Sequence, residues 1–238
     1  MRRIRNVILA ALFLCSALPV KALARPAPKG CLALSFDDGP SGQITQALLD
    51  GLAERDVKCT FFVCGYRIEE YPQSLCRIAE AGHELGLHGY RHETMNALSE
   101  DEVLRELRAC QNTLEKTCGV SAELFRPPCG CYNDTVLAAA EELGLPVILW
   151  SVDPEDWNAE AYDGVTPAIV QSAENGSVIL MHELSMHSVR CALEAIDRLK
   201  EQGYEFCTVS ELAQRSRCAL MPGKVYRCFP PAEIDETE

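Results

Sequence analysis

From Cys31 onward, short apolar runs alternate with segments of helical periodicity, and this alternation leaves few folds open to the chain. The apolar runs fall at 31–36, 59–63, 83–87, 123–126, 146–150, 177–181 and 204–209. Between them, Ile44, Leu48 and Leu52 share one helical face, and 71–81 reads as a short helix with Pro72 in its first turn and Gly82 past its end. The clearest helix is 99–118. Ser99 and Glu102 form a capping box, Val103, Leu107, Cys110 and Leu114 form its apolar stripe, and Gly119 suits its C-terminal cap. Asn133 is placed to cap a helix ending at Gly144, Thr166-Pro167 opens another, and 186–202 forms a further one. About seven strands separated mostly by helices predict an α/β fold with parallel strands, either a distorted barrel or an open doubly wound sheet. No Gly-x-Gly-x-x-Gly follows the first run, which weighs against a dinucleotide-binding sheet.

The first residues are excluded from that reading. Arg2, Arg3 and Arg5 precede an apolar run from Val7 to Val20, and Ala22-Leu23-Ala24 offers a small-x-small cleavage site. Residues 1–24 are read as a signal peptide cleaved near Ala24, with an uncleaved anchor as the second reading. The run is short for a membrane span, which needs about 20 apolar residues. Removing its four positive charges takes the formal charge from -13 to -17. No basic patch follows, so a nucleic-acid partner is excluded and no stable protein partner is expected. Thirteen cysteines, twelve after residue 24, suggest disulfides in an exported chain, with Cys218–Cys228 the favoured pair; free buried thiols are the alternative. Residues 214–238 are read as a C-terminal tail, ending in a loose acidic stretch from Glu233.

The chemistry-bearing residues gather where strands end. Asp37-Asp38-Gly39-Pro40 follows the first run. Neighbouring side chains on an extended chain point to opposite sides, so the two carboxylates are expected to divide the work, one binding a metal and one taking a proton. His88 and His92 follow the third run and could meet one metal ion if the segment were helical. Gly89 stands where zinc proteases place a Glu, which rules that reading out. His83, on the strand side, is read as structural, and His187 as a surface helix residue. Arg126 precedes the rigid Pro127-Pro128 and could orient a carboxylate, and the N–H of Cys129 is a candidate free donor. Both tryptophans flank Asp153 and Asp156, an arrangement that suits sugar binding or simple packing. His182 ends the sixth run, a position suited to a proton carrier.

Five segments in this order resemble the motifs of the polysaccharide deacetylase family, the NodB-homology or carbohydrate esterase family 4 enzymes. They are Ser-Phe-Asp-Asp-Gly-Pro at 35–40, Gly-His-Glu-Leu-Gly-x-His-x-x-x-His at 82–92, Phe-Arg-Pro-Pro-x-Gly at 125–130, Trp-x-x-Asp-x-x-Asp-Trp at 150–157 and Leu-Met-His at 180–182. The resemblance spans roughly 31–213, so 25–213 is expected to form one deacetylase domain. It implies a distorted (β/α) barrel and a single divalent metal, often zinc. It implies removal of N-acetyl groups from GlcNAc-type polymers, acetylated polysaccharide being the partner.

The resemblance further implies that Asp38, His88 and His92 bind the metal, that Asp37 is the catalytic base and that His182 is the acid. Arg126 would orient Asp37, and Asp156, ahead of Asp153, would pair with His182. Trp157 and Leu180 would line the acetyl pocket, and the Cys129 N–H would hold the oxyanion. Three positions depart from the family pattern: Cys129 replaces an aromatic residue, Leu87 a common Asn, and Gly89 a Ser or Thr whose loop hydrogen bond is lost. An O-acetyl xylan esterase of the same family, and a wall-glycan-binding protein without turnover, are the competing readings.

Overall fold

A computed structural model describes residues 27–231. The expected signal peptide, residues 1–24, and the acidic stretch from Glu233 lie outside them. The fold is α/β and barrel-like. β1 (Gly30–Gly39) is its centre, pairing in parallel with β2 (Thr60–Val63), β5 (Val178–His182) and, at its start, β6 (Tyr204–Cys207). β3 (Glu84–Leu87) extends the sheet beyond β2. Parallel bridges then carry the wall onward, from Leu87 to Phe125, from Phe125 to Val147 in β4 (Val147–Ile148), and from Val152 back to Ile179 of β5. The result is a distorted ring of parallel strands whose C-terminal ends share one mouth.

The helices follow from the sequence signals. α1 (Gln43–Glu54) buries Leu48 and Leu52, and α3 (Pro72–Glu80) opens with its proline. α4 (Glu100–Cys118) carries the capping box, with the Ser99 N–H donating to Glu102 Oε2 at 2.9 Å, and stops at Gly119 with φ 71°. α5 (Asp134–Glu142) is capped by Asn133 Oδ1, which accepts from Val136 N at 3.0 Å. α7 (Met186–Glu201) buries Val189, Ala192, Ile196 and Leu199. Phe36 and Phe61 stack at 5.3 Å in the largest apolar cluster, where each fully buried side chain contributes roughly 1.5–3 kcal/mol.

Several expectations are corrected. The run at 123–126 is no full strand: only Phe125 bridges, because Pro127 and Pro128 end the supply of backbone donors. α2 (Gly65–Glu70), too short for a periodic signature, follows β2. α6 (Val165–Ser172) starts ahead of Thr166, which puts Pro167 third in the helix, still among the positions needing no partner for N–H. The last core strand stops at Cys207, because Thr208 caps α8 (Val209–Arg215) and its N–H donates to Glu211 Oε2 at 3.0 Å. Beyond it, β7 (Val225–Tyr226) pairs with β4 and Phe229 is buried. The twelve cysteines among the described residues are free thiols, Cys218 and Cys228 included, while Cys31 and Cys207 bring their sulfurs to 2.7 Å. His187 is half-buried, stacked on Tyr162 at 3.9 Å, instead of lying on the surface.

Candidate active site

The mouth of the ring holds a cavity of about 410 Å³ lined by Asp37, Asp38, His88, His92, Cys129, Trp150, Asp153, Trp157, Leu180 and His182. Asp37 and Asp38 both face it, against the expectation of opposite sides. The cause is local: β1 loses register with β2 between Asp37 and Gly39, and Asp38 adopts a left-handed φ of 69°, which swings its carboxylate round. Beneath the turn, the Glu183 carboxyl fills the space a side chain at Gly39 would need, with Oε1 only 1.2 Å from an ideal Cβ. Thr45 Oγ1 donates to Glu183 Oε2 at 2.7 Å and accepts from Ser41 N, and burial pushes the Glu183 carboxyl up to about 8. No local signal in the sequence announced Glu183; only its place after His182 hinted at it.

His88 and His92 are brought together by a loop, not by the helix their spacing suggested. Gly89 and His92 both take positive φ, 78° and 60°. His88 Nδ1 lies 2.7 Å from the Arg126 carbonyl oxygen. A carbonyl can only accept, so Nδ1 carries the hydrogen and the Nε2 lone pair faces the cavity. Nε2 of His88 and of His92 stand 3.3 and 3.0 Å from Asp38 Oδ1. Donor atoms of all three residues lie within 4.8 Å of one another, and the buried Asp38 Oδ1 accepts no hydrogen bond from the described residues. A buried carboxylate oxygen beside two imidazole Nε2 atoms, one of them with its lone pair free, fits a divalent cation.

Two charged pairs flank this triad. Arg126 is fully buried, with Nη1 2.6 Å from Asp37 Oδ1 and 2.9 Å from Ser35 Oγ. Its Nε and Nη2 donate to the carbonyls of Ile148 and Leu149, and its guanidinium lies 4.0 Å over the Phe62 ring. Four partners and a ring fix the guanidinium, which in turn fixes Asp37. On the other side, His182 Nδ1 lies 2.8 Å from Asp156 Oδ1, and Asp156 Oδ2 accepts the His182 N–H at 2.9 Å. Burial alone would lower the His182 pKa, but Asp156, Asp37 and Asp38 outweigh it and the imidazole is pushed up to about 9. Asp153 turns instead to Trp150 Nε1 and Glu155 N. Arg126 and Asp156 therefore stand behind the cavity wall, while the other eight residues to which the family resemblance gave a role line the cavity itself. Trp157 is 62% exposed at the rim and Leu180 is buried in the wall.

The sequence profile described as polysaccharide deacetylase matches residues 24–148. The chain belongs to the polysaccharide deacetylase family. Among its relatives, the peptidoglycan-N-acetylglucosamine deacetylase PgdA of Listeria monocytogenes is 36% identical over 84% of this chain. The peptidoglycan-N-acetylmuramic acid deacetylase PdaC of Bacillus subtilis is 36% identical over 83%. This chain spans 42% of the length of each of those two. The solved PdaC structure superposes with a TM-score of 0.74, covering 80% of this chain and 92% of that one at 36% identity. A family 4 acetyl xylan esterase from Clostridium thermocellum, solved with a cobalt ion, gives 0.78 over 84% and 99% at 27% identity.

Proposed function

We propose that this chain is a metal-dependent hydrolase that removes N-acetyl groups from GlcNAc-containing polysaccharide of peptidoglycan or chitin type, releasing acetate and a free amino sugar. The observation that carries this reading is the meeting, in one cavity, of three metal donors with an arginine-paired carboxylate and an aspartate-paired imidazole. Asp38, His88 and His92 hold one divalent cation, zinc being the metal best suited to two imidazoles and a carboxylate. When bound there, the cation supplies Lewis acidity to the amide carbonyl and acidity to a water. Asp37 is the base: Arg126 occupies its Oδ1, which leaves Oδ2 to accept a proton from the attacking water. His182 is the acid: Asp156 engages Nδ1, so the proton given to the departing nitrogen sits on Nε2. The Cys129 N–H donates to the developing oxyanion, and Leu180 and Trp157 wall the space for the acetyl methyl.

Export belongs to the same proposal. The Arg-rich start, the apolar run and Ala22-Leu23-Ala24 support cleavage near Ala24 and work on the cell-wall side, with 25–213 as the deacetylase unit. N-terminal sequencing of the exported protein should begin at or near Arg25, and a full-length membrane-held product would favour an anchor.

The activity is tested by incubating metal-loaded and chelated protein with peptidoglycan, chitooligosaccharides and acetylated xylan, and measuring acetate. Release from the first two, lost on chelation, is expected. Release from xylan alone would favour an O-acetyl esterase, a reading supported by the likeness to the Clostridium thermocellum enzyme. Retention of the polymer without acetate release would leave a glycan-binding protein.

A further inference from the structure

The loop carrying His88 and His92 has no side chain of its own at position 89, where one would be strained by the backbone and would have to displace the Met95 methyl. Gly89 has φ 78°, and an ideal Cβ there would sit 2.5 Å from the Met95 methyl. A loop with two positive-φ residues does not hold itself, because His92 gains nothing from its left-handed conformation. Its backbone groups are held from two sides instead. The carbonyls of Gly89 and Tyr90 each accept from the start of α2, from the N–H groups of Gly65 and Tyr66, at 3.0 Å. The N–H groups of Tyr90 and Arg91 both donate to one carboxylate oxygen, Glu106 Oε2, at 3.0 and 2.9 Å.

Glu106 is well placed for that work. It sits in the middle of α4, whose neighbours Val103 and Leu107 are fully buried, so its backbone is anchored. Its side chain is only 12% exposed, and Arg91 Nε lies 3.8 Å from its other oxygen. Two backbone donors converging on one shielded carboxylate are charge-assisted, and such bonds are about twice as strong as neutral ones.

We propose that Glu106 is a positioning residue that clamps the 88–92 loop, so that both imidazole Nε2 atoms meet Asp38 Oδ1 before a cation arrives. The inference rests on the metal-site reading above. It assigns the support of the ligand loop to a helix outside the cavity.

Co2+ is the probe, since its visible absorption reports coordination geometry. The wild type, Glu106→Gln and Glu106→Ala are titrated with Co2+, and the thermal midpoint of each cation-free protein is measured. Glu106→Ala should bind Co2+ about 10- to 100-fold more weakly, with an altered spectrum. Glu106→Gln keeps an acceptor oxygen and should recover most of the affinity. Adding Gly89→Ser to Glu106→Ala should restore nothing, because a side chain at φ 78° is strained. A Glu106→Ala protein that binds as tightly as wild type with an unchanged spectrum overturns the proposal. If Glu106→Ala does not fold, amide exchange in the cation-free wild type decides: protected Tyr90 and Arg91 amides support the clamp, and amides exchanging as fast as exposed ones overturn it. A wild type that takes up no Co2+ overturns the metal-site reading and the clamp with it, an outcome distinct from equal binding by wild type and variant.

Discussion

Strand β3 has a histidine at each end, His83 before Glu84 and His88 after Leu87, and both are buried. At the first, Nδ1 accepts the Cys59 N–H at 3.1 Å and the ring meets Phe61 edge-on at 5.2 Å. Burial, helped by Lys58, lowers its pKa to about 4, so it stays neutral with one nitrogen already spent as an acceptor. At the second, the Arg126 carbonyl takes the Nδ1 hydrogen and leaves Nε2 bare, 3.3 Å from an orphaned carboxylate oxygen. The residue type is the same and the strand is the same; the end of the strand differs. N-terminal ends of the parallel strands close against returning backbone, whereas C-terminal ends open on the cavity, as in other barrels of this kind. Where the spare lone pair is left decides which histidine is fitted to be a ligand.

The largest effect should come from breaking the cavity end of that pair. His88→Ala, or the same change at His92, should remove most bound metal and bring acetate release to background, while His83→Asn keeps both. Metal analysis by mass spectrometry checks this, and stoichiometric metal in the double His88/His92 variant would end the assignment. Next in size is His182→Ala. It leaves the three donors intact, so metal content should persist while turnover falls by a factor on the order of 100 or more. Near-normal turnover in that variant would remove His182 from the proton path.

The same contrast explains what the sequence revealed. Strand ends were readable because short apolar runs stop at Gly and Pro, and side chains on those ends were therefore grouped correctly around one mouth. α4 and α5 were readable because their caps are local: Ser99 with Glu102, and Asn133 with Val136. The turns that aim the ligands were not. Asp38 and His92 take positive φ in turns whose neighbouring residues meet partners distant in the chain, Glu183 against Gly39 and Thr45 on Ser41 at one, Glu106 on the Tyr90 and Arg91 N–H groups at the other. A rule for extended chain put Asp37 and Asp38 on opposite sides, and a rule for helices joined His88 to His92; both rules assume regular backbone where none exists. β7 escaped notice for a related reason. Two residues paired with a two-residue β4 carry no periodicity, and distant partners fix them: Val147 and Leu149 donate to the carbonyls of Lys224 and Tyr226, Cys228 bridges to Ser177, and Phe229 is buried.

A finer test concerns the pair on the far side of the cavity. His182 is held as imidazolium by Asp156, so activity should lose its basic limb as pH rises through about 9, where the acid gives up its proton. Asp156→Asn removes the charge that supports the imidazolium and keeps a group of the same shape. The limb should move to lower pH, toward the ordinary histidine value, in a profile of kcat/KM against pH. A limb that stays in place would show that some other group sets it.

The smallest effect on activity belongs to His83, and it appears in acid stability. Its pKa is about 4 in the folded chain and near the ordinary histidine value of about 6.5 when unfolded. Between those values the unfolded state binds more protons than the folded one, so stability rises with pH across that window. The contribution is fully present above the unfolded value and is lost as pH falls toward 4. His83→Asn keeps an acceptor oxygen near the Nδ1 position for the Cys59 N–H and cannot titrate. Urea unfolding at several pH values should therefore give a shallower decline for His83→Asn than for wild type within that window, and parallel curves above it. Equal slopes in the two proteins would mean that the ring titrates freely, and that β3 closes its N-terminal end less tightly than its hydrogen bond to Cys59 requires.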